Sequence, residues 1–144
     1  MTPAAFHGAC DGVGPTVTLI RSDGGYTFGG YTGVPWASSG RYKPASSSFL
    51  FSVVNPYGDP VMRFPLKSPG DGKAVYHAAR YGPTFGGGID MTVRATNSPT
   101  TSFHFCYCNF PATYEDESGR NRGNATFTGA REFTLADIEI WSVV

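Results

Sequence analysis

The sequence predicts a mainly β fold with minor helix, an antiparallel sandwich, and three observations carry that prediction. Nineteen glycines and eleven prolines make up roughly a fifth of the 144 residues, so the backbone turns often and long helices are excluded. Short runs rich in Val, Ile, Thr, Phe and Tyr are separated by Gly, Pro, Asn and Asp, which is strand and turn chemistry. Leucine occurs only at Leu19, Leu50, Leu66 and Leu135, too sparse for helix-on-helix packing. The length accommodates one domain, residues 1–144, and leaves no room for a second.

The elements follow in order. Residues 16–21 are rich in β-branched side chains, Ser22-Asp23-Gly24-Gly25 supplies a turn, and residues 26–32 return, which makes a hairpin. Gly29-Gly30 inside the return strand marks either a bulge or the close approach of another backbone. After a polar loop through Val34, Trp36 and Gly40, residues 49–54 form a short apolar run that reads as a core strand and stops at Asn55-Pro56. Residues 61–64 pair with it, and residues 74–77 form a further short strand after a Gly/Pro loop. Residues 81–88 lead into 89–94, whose alternation sets Ile89, Met91 and Val93 on one face. Residues 102–108 alternate again, with Phe103, Phe105 and Tyr107 opposite His104, Cys106 and Cys108. A charged, glycine-containing stretch from 114 to 124 reads as a solvated connection. Residues 133–137 are expected to form a single turn capped by Thr134 with Asp137 three residues on, before residues 138–143 end the chain as a strand with Ile138 and Ile140 inward. No fixed-period repeat points to a propeller or solenoid.

Composition excludes several function classes. Net charge is zero, the only lysines are Lys43, Lys67 and Lys73, and eight arginines are scattered singly, so no basic stripe offers itself to nucleic acid. No apolar run approaches the ~18 to 20 residues that span a bilayer. Met1 is followed by Thr2-Pro3-Ala4 rather than by a charged and then apolar leader, so a cytoplasmic protein is expected. Cys10, Cys106 and Cys108 are an odd set and are expected to be reduced thiols. The sequon Asn124-Ala125-Thr126 is then expected to stay bare.

Few constellations could carry chemistry. Gly86-Gly87-Gly88 lacks the Gly-Lys-Ser/Thr ending and the following helix of a phosphate loop, so its glycines are better read as positive-φ or close-packing positions. No cofactor is called for. Ser, His and Asp are present without a Gly-x-Ser-x-Gly elbow, and His7, His77 and His104 lie in unrelated settings. Asp137 and Glu139 alternate onto one strand face ~7 Å apart, an acid–base candidate pair beside Trp141. His104, Cys106 and Cys108 share a face at the same spacing, which would let the imidazole activate a thiol. That spacing of ~7 Å is too wide for all three to chelate zinc without strain, and also for an unstrained Cys106–Cys108 disulfide. No metal site is expected.

The ordered string from Phe6-His7 through Cys10-Asp11 and Gly14-Pro15-Thr16 to Ile20 resembles the opening of TLDc domains. The resemblance continues through Phe28-Gly29-Gly30-Tyr31, Pro35-Trp36, Phe49-Leu50-Phe51-Ser52, Tyr81-Gly82-Pro83-Thr84-Phe85-Gly86-Gly87-Gly88-Ile89-Asp90 and the closing stretch from Phe133 to Trp141. It implies a sandwich of two antiparallel sheets with a few short helices. It also implies a role in resistance to oxidative stress, in which members bind cytosolic subunits of the vacuolar proton-pumping ATPase, and it supplies no active site. Family domains begin with helical sequence upstream of the Phe-His motif, whereas only residues 1–5 precede Phe6, so an N-terminal helical layer is expected to be missing here.

Two functions of different class follow. The first is a non-enzymatic interaction module with a protein partner, for which Trp36, Tyr42, Gly86, Gly87, Gly88 and Asp90 are the binding candidates. The second is a thiol enzyme or peroxide scavenger using Cys106 or Cys108 with His104. Hydrolysis by Asp137 and Glu139 is a weaker third.

Overall fold

A computed structural model describes residues 1–96 and 98–143. The chain opens with helix α1 (Pro3–Cys10), whose start is written in its first residues. Thr2 stands at the N-cap with its hydroxyl accepting from the Ala5 N–H at 3.0 Å, and Pro3 occupies the first turn. Phe6 is the helix's buried anchor, at 0% exposure. The strand and turn reading assigned no helix to this stretch, and the structure places one short helix here, packed against the strands.

Among the described residues eleven strands follow: β1 (Thr16–Ser22), β2 (Thr27–Thr32), β3 (Arg41–Lys43), β4 (Phe49–Val54), β5 (Met62–Pro65), β6 (Val75–His77), β7 (Tyr81–Phe85), β8 (Met91–Arg94), β9 (Phe105–Tyr107), β10 (Glu132–Phe133) and β11 (Leu135–Ser142). They form a five-stranded sheet in the order β11-β1-β2-β4-β5 and a six-stranded sheet in the order β10-β9-β8-β7-β6-β3. Every strand pairing in the two sheets is antiparallel. The fold class is therefore the one the sequence predicts, mainly β and two-sheeted. Phe28, Leu50, Phe64, Ile20 and Ile138 from one sheet and Val75, Phe85, Met91, Val93 and Cys106 from the other belong to one buried cluster, completed by Phe6, Trp36, Phe110, Tyr114 and Phe127.

The paired glycines of β2 resolve as close approach rather than a bulge. The register is regular through Leu19↔Gly29 and Thr18↔Gly30. A Cβ on Gly30 would sit 2.5 Å from Cζ of Phe85 in the facing sheet, and one on Gly29 would overlap the Thr18 carbonyl.

Three local expectations are corrected. Thr134 does not cap a turn over residues 133–137. It separates β10, paired with β9, from β11, paired with β1, so the chain crosses between sheets there and two ladders outcompete one local cap. Ile89 lies in the turn before β8 with φ 58, not on the face shared by Met91 and Val93. The stretch from 114 begins with a core residue, because Tyr114 is 0% exposed and its hydroxyl donates to the Ala74 carbonyl at 2.8 Å.

Candidate functional site

β7 delivers the chain into a glycine turn that no other residue type fits. Gly86 has φ +95, and a Cβ there would overlap Oδ1 of Asp90. The turn closes with the Ile89 N–H donating to the Gly86 carbonyl at 3.1 Å and places Asp90 at 0% exposure. Three successive backbone N–H groups converge on that carboxylate. Ala112 donates to Oδ2 at 2.8 Å, Thr113 to Oδ1 and Oδ2 at 2.9 and 3.0 Å, and Tyr114 to Oδ2 at 3.0 Å. Burial pushes the carboxyl above its usual range while the donated bonds pull the other way, and burial prevails.

The neighbouring glycines complete the same clamp. The Gly87 N–H donates to the Thr113 hydroxyl at 2.8 Å, and the Gly88 carbonyl accepts from the Asn109 side chain at 3.0 Å. Tyr42 reaches the turn from β3, its hydroxyl 3.4 Å from the Gly87 carbonyl and its ring 5.4 Å from Nζ of exposed Lys73. Burial and the neighbouring Tyr76 raise the Tyr42 phenol, which keeps it a neutral donor. The fold thus gathers Tyr42, Gly86, Gly87, Gly88 and Asp90 into one place. Trp36 lies apart in the core at 1% exposure, its indole N–H bonded to the Thr16 hydroxyl at 2.9 Å and its ring against Phe6, His77 and Phe85. Its indole is a packing element, and the surface of that loop is made by other atoms.

His104, Cys106 and Cys108 do not form one strand face. β9 starts at Phe105, so His104 precedes it and is exposed, while Cys106 and Cys108 point into the core at 2% and 1% exposure. His104 bonds the Thr96 hydroxyl through Nε2 at 2.9 Å and the Ser102 carbonyl through Nδ1 at 2.9 Å. A groove of about 270 Å³ is lined by both His104 and Cys106, together with Phe105, Glu132, Phe133 and Thr134. Burial pushes the Cys106 thiol up to about 11 and the Cys108 thiol further still, so neither is a thiolate at neutral pH. Among the described residues no three His, Cys, Asp or Glu side chains come together to hold a metal.

Asp137 and Glu139 project from the outer face of β11. With Leu19, Arg21 and Thr27 they line a cleft of about 180 Å³. Each carboxylate has a structural partner: the Ile138 N–H donates to Asp137 Oδ1 at 2.9 Å, and the Trp141 indole donates to Glu139 Oε2 at 2.9 Å. These bonds hold the strand and the indole in place.

The family model for the TLDc domain matches residues 2–144. The chain belongs to the TLDc family. A 50-residue segment is 42% identical to the MTOR-associated protein MEAK7 of Danio rerio, covering 35% of this chain and 11% of that relative. The chain therefore matches a small part of the length of that curated relative.

The geometry gives the opening TLDc string a physical meaning. His7 Nδ1 bonds Asp11 Oδ1 at 2.7 Å, Asp11 Oδ2 accepts from Ser38 Oγ at 2.5 Å, and His7 Nε2 faces the Ala78 and Tyr81 carbonyls at 2.8 Å each. The carboxylate sits between serine and histidine, so the serine hydroxyl donates to Asp11 rather than to the imidazole. The TLDc chain uses this relay to tie α1 to β7 and to the loop through Ser38.

Sequence reasoning missed Arg94. The register Tyr81↔Arg94↔Phe105 crosses the outer face of the six-stranded sheet, and the guanidinium lies 4.6, 4.8 and 5.0 Å from the rings of Tyr81, Phe105 and Tyr107. It also donates to the Tyr81 hydroxyl. Together with Arg80, Tyr81, Ala95 and Thr96 it lines a groove of about 360 Å³. Only the pairing register brings these residues together, and the sequence spacing alone carries no such signal.

Proposed function

We propose that this TLDc domain is a non-enzymatic interaction module of the cytoplasm that serves resistance to oxidative stress by binding cytosolic subunits of the vacuolar proton-pumping ATPase. One observation carries the reading: the groups best equipped for catalysis are engaged in holding the fold. Asp90 is enclosed by three backbone donors, and Cys106 and Cys108 are core thiols pushed up by burial. What the Asp90 clamp fixes is a surface, in which half-buried Tyr42 and exposed Lys73 and Gly88 stand beside one another. Tyrosine is enriched in protein contacts, and the exposed Lys73 beside it suits their polar rim. Membership of the TLDc family and likeness to a relative named for association with MTOR support a protein partner of this kind.

In this reading Tyr42, Lys73 and the Gly86–Gly88 turn touch the partner, and Asp90 positions them. The test is capture of the purified cytosolic sector of the proton pump by the immobilised chain, compared with Tyr42→Ala and Lys73→Glu. The reading expects capture by the wild type and loss in both variants at unchanged thermal stability. Equal retention by all three chains, or no capture by any, overturns it.

A further inference from the structure

The outer face of the five-stranded sheet carries two apolar-rich rows across the strands, and beyond them a polar row of Asp137, Arg21 and Thr27. Register places Trp141, Val17, Tyr31, Phe49 and Pro65 side by side in one row, and Glu139, Leu19, Gly29, Phe51 and Arg63 in the next. The burial pattern of β1 confirms the facing, since Thr16, Thr18 and Ile20 are buried and Val17 and Leu19 are only half-buried. The side chains of the first row are apolar or aromatic, with Trp141 61% exposed and Tyr31 stacked on Phe49 at 5.1 Å, and the two charges of the second row lean onto its ends, the Arg63 guanidinium 4.0 Å from the Phe49 ring and Glu139 accepting from the Trp141 indole at 2.9 Å. The second carries a carboxylate at one edge of the sheet, a guanidinium at the other and apolar groups between, with a glycine at the centre. Exposed Val53 and Val61 extend the apolar surface beyond the rows. A contiguous apolar sheet face of this kind is an interaction surface rather than a solvated one.

The rows are self-complementary. A two-fold axis lying parallel to the strands over β2 sets β11 of one copy above β5 of the other and β1 above β4. Glu139 then faces Arg63 of the second copy twice over, Leu19 faces Phe51, Trp141 faces Pro65, Val17 faces Phe49, and Tyr31 faces its own equivalent. Gly29 meets Gly29 on the axis, with the Phe51 ring leaning over each glycine. The other in-plane two-fold, perpendicular to the strands, would stack β11 on β11 and place carboxylates against carboxylates. Five strands ~4.8 Å apart and ~20 Å long give a face of about 480 Å² per copy, roughly 1,000 Å² in total. That is the low end of specific interfaces, so association is expected in the micromolar range rather than tighter.

We propose that the outer face of β11-β1-β2-β4-β5 docks a second copy of this chain, two sheets face to face about a two-fold axis parallel to the strands, with Glu139 of each copy paired to Arg63 of the other. The inference uses a different face from the Tyr42 surface and stands whether or not the proton pump is the partner.

Sedimentation velocity from 1 to 500 µM tests it, with Arg63→Glu and Glu139→Arg as variants. Both positions are exposed, and circular dichroism checks that each variant keeps its fold after Glu139→Arg releases the Trp141 indole and Arg63→Glu uncovers the Phe49 ring. The wild type is expected to shift from monomer to dimer over this range. Each variant alone sets like charges opposite each other twice and weakens the dimer by more than roughly tenfold. In an equimolar mixture of the two variants, the mixed dimer again sets a carboxylate opposite a guanidinium at both contacts, with the signs exchanged at one of them, and regains wild-type strength. A wild type that stays monomeric throughout overturns the proposal and leaves the face to a different protein. A dimer indifferent to both substitutions, or two variants that fail to recover dimer when mixed, overturns it as well.

Discussion

Replacing Asp90 separates two roles that a buried carboxylate can play, the shape of an acceptor and the charge it carries. In the folded chain Oδ2 accepts from Ala112, Thr113 and Tyr114 at 2.8 to 3.0 Å, and Oδ1 adds a second contact to Thr113. Asp90→Ala removes every acceptor. The Thr113 and Tyr114 N–H groups are buried, and each left without a partner costs about 1–3 kcal/mol, while Ala112 is exposed and water replaces its bond. The loss is therefore about 2–6 kcal/mol, a large share of the roughly 5–15 kcal/mol by which domains are stable. Asp90→Asn keeps one oxygen, which can take the Oδ2 position and all three donors, and it removes a charge that burial disfavours. The expected cost is about 1 kcal/mol or less. Urea unfolding followed by tryptophan fluorescence, with Trp36 in the core as reporter, measures both. An Asn variant as damaged as the Ala variant would refute the reasoning, because charge rather than acceptor geometry would then be what the site needs.

Three further outcomes are expected. Gly86→Ala combines a φ of +95 with overlap on Asp90 and is expected to cost about 3 kcal/mol or more in the same unfolding assay, while Gly72→Ala, with open space around it, changes stability by about 0.5 kcal/mol or less. Burial first, and then Lys43, lower the His77 imidazole from 6.5 to about 4, so the unfolded chain binds a proton that the folded chain refuses between those values. Stability is fully present above about pH 6.5 and falls as pH drops towards 4, by about 1–2 kcal/mol after allowance for solvent screening, and His77→Gln flattens that slope in a pH series of thermal melts. Alkylation of the native chain at pH 8, followed by mass spectrometry, is expected to modify Cys10 alone, with Cys106 and Cys108 reacting after denaturation, and rapid native labelling of Cys106 would revive a thiol chemistry.

Much of the fold was legible because the chain's strand and turn chemistry agree locally with the sheets they enter. Residues 16–21 and 26–32 pair as the turn at Ser22-Asp23-Gly24-Gly25 requires, and the paired glycines of β2 announced a bulge or a close approach, of which the structure shows the second. What failed were decisions that depend on distant partners. Alternation over residues 102–108 cannot say which side chains turn inward, because aromatics and cysteines are equally at home in a core, and here Phe103 joins Cys106 and Cys108 in it. The pattern Thr134 to Asp137 is a sound local cap, but β9 and β1 claim the residues on either side. Helix α1 is eight residues long, too short for apolar periodicity to register, although Thr2-Pro3 marked its start. At the candidate site, Asp90 could be picked out with its glycines. Its role could not, since its donors lie 22 to 24 residues further along the chain.

The central claim is that this TLDc domain acts by contact rather than by turnover, and cells exposed to peroxide test it most directly. Chains carrying both Cys106→Ser and Cys108→Ser, Glu139→Gln, or Tyr42→Ala with Lys73→Glu would be expressed at matched levels beside the wild type. The account predicts full protection from the cysteine and Glu139 variants and loss of protection from the Tyr42/Lys73 variant. Loss of protection in the cysteine variant, with its fold intact by circular dichroism, would contradict it.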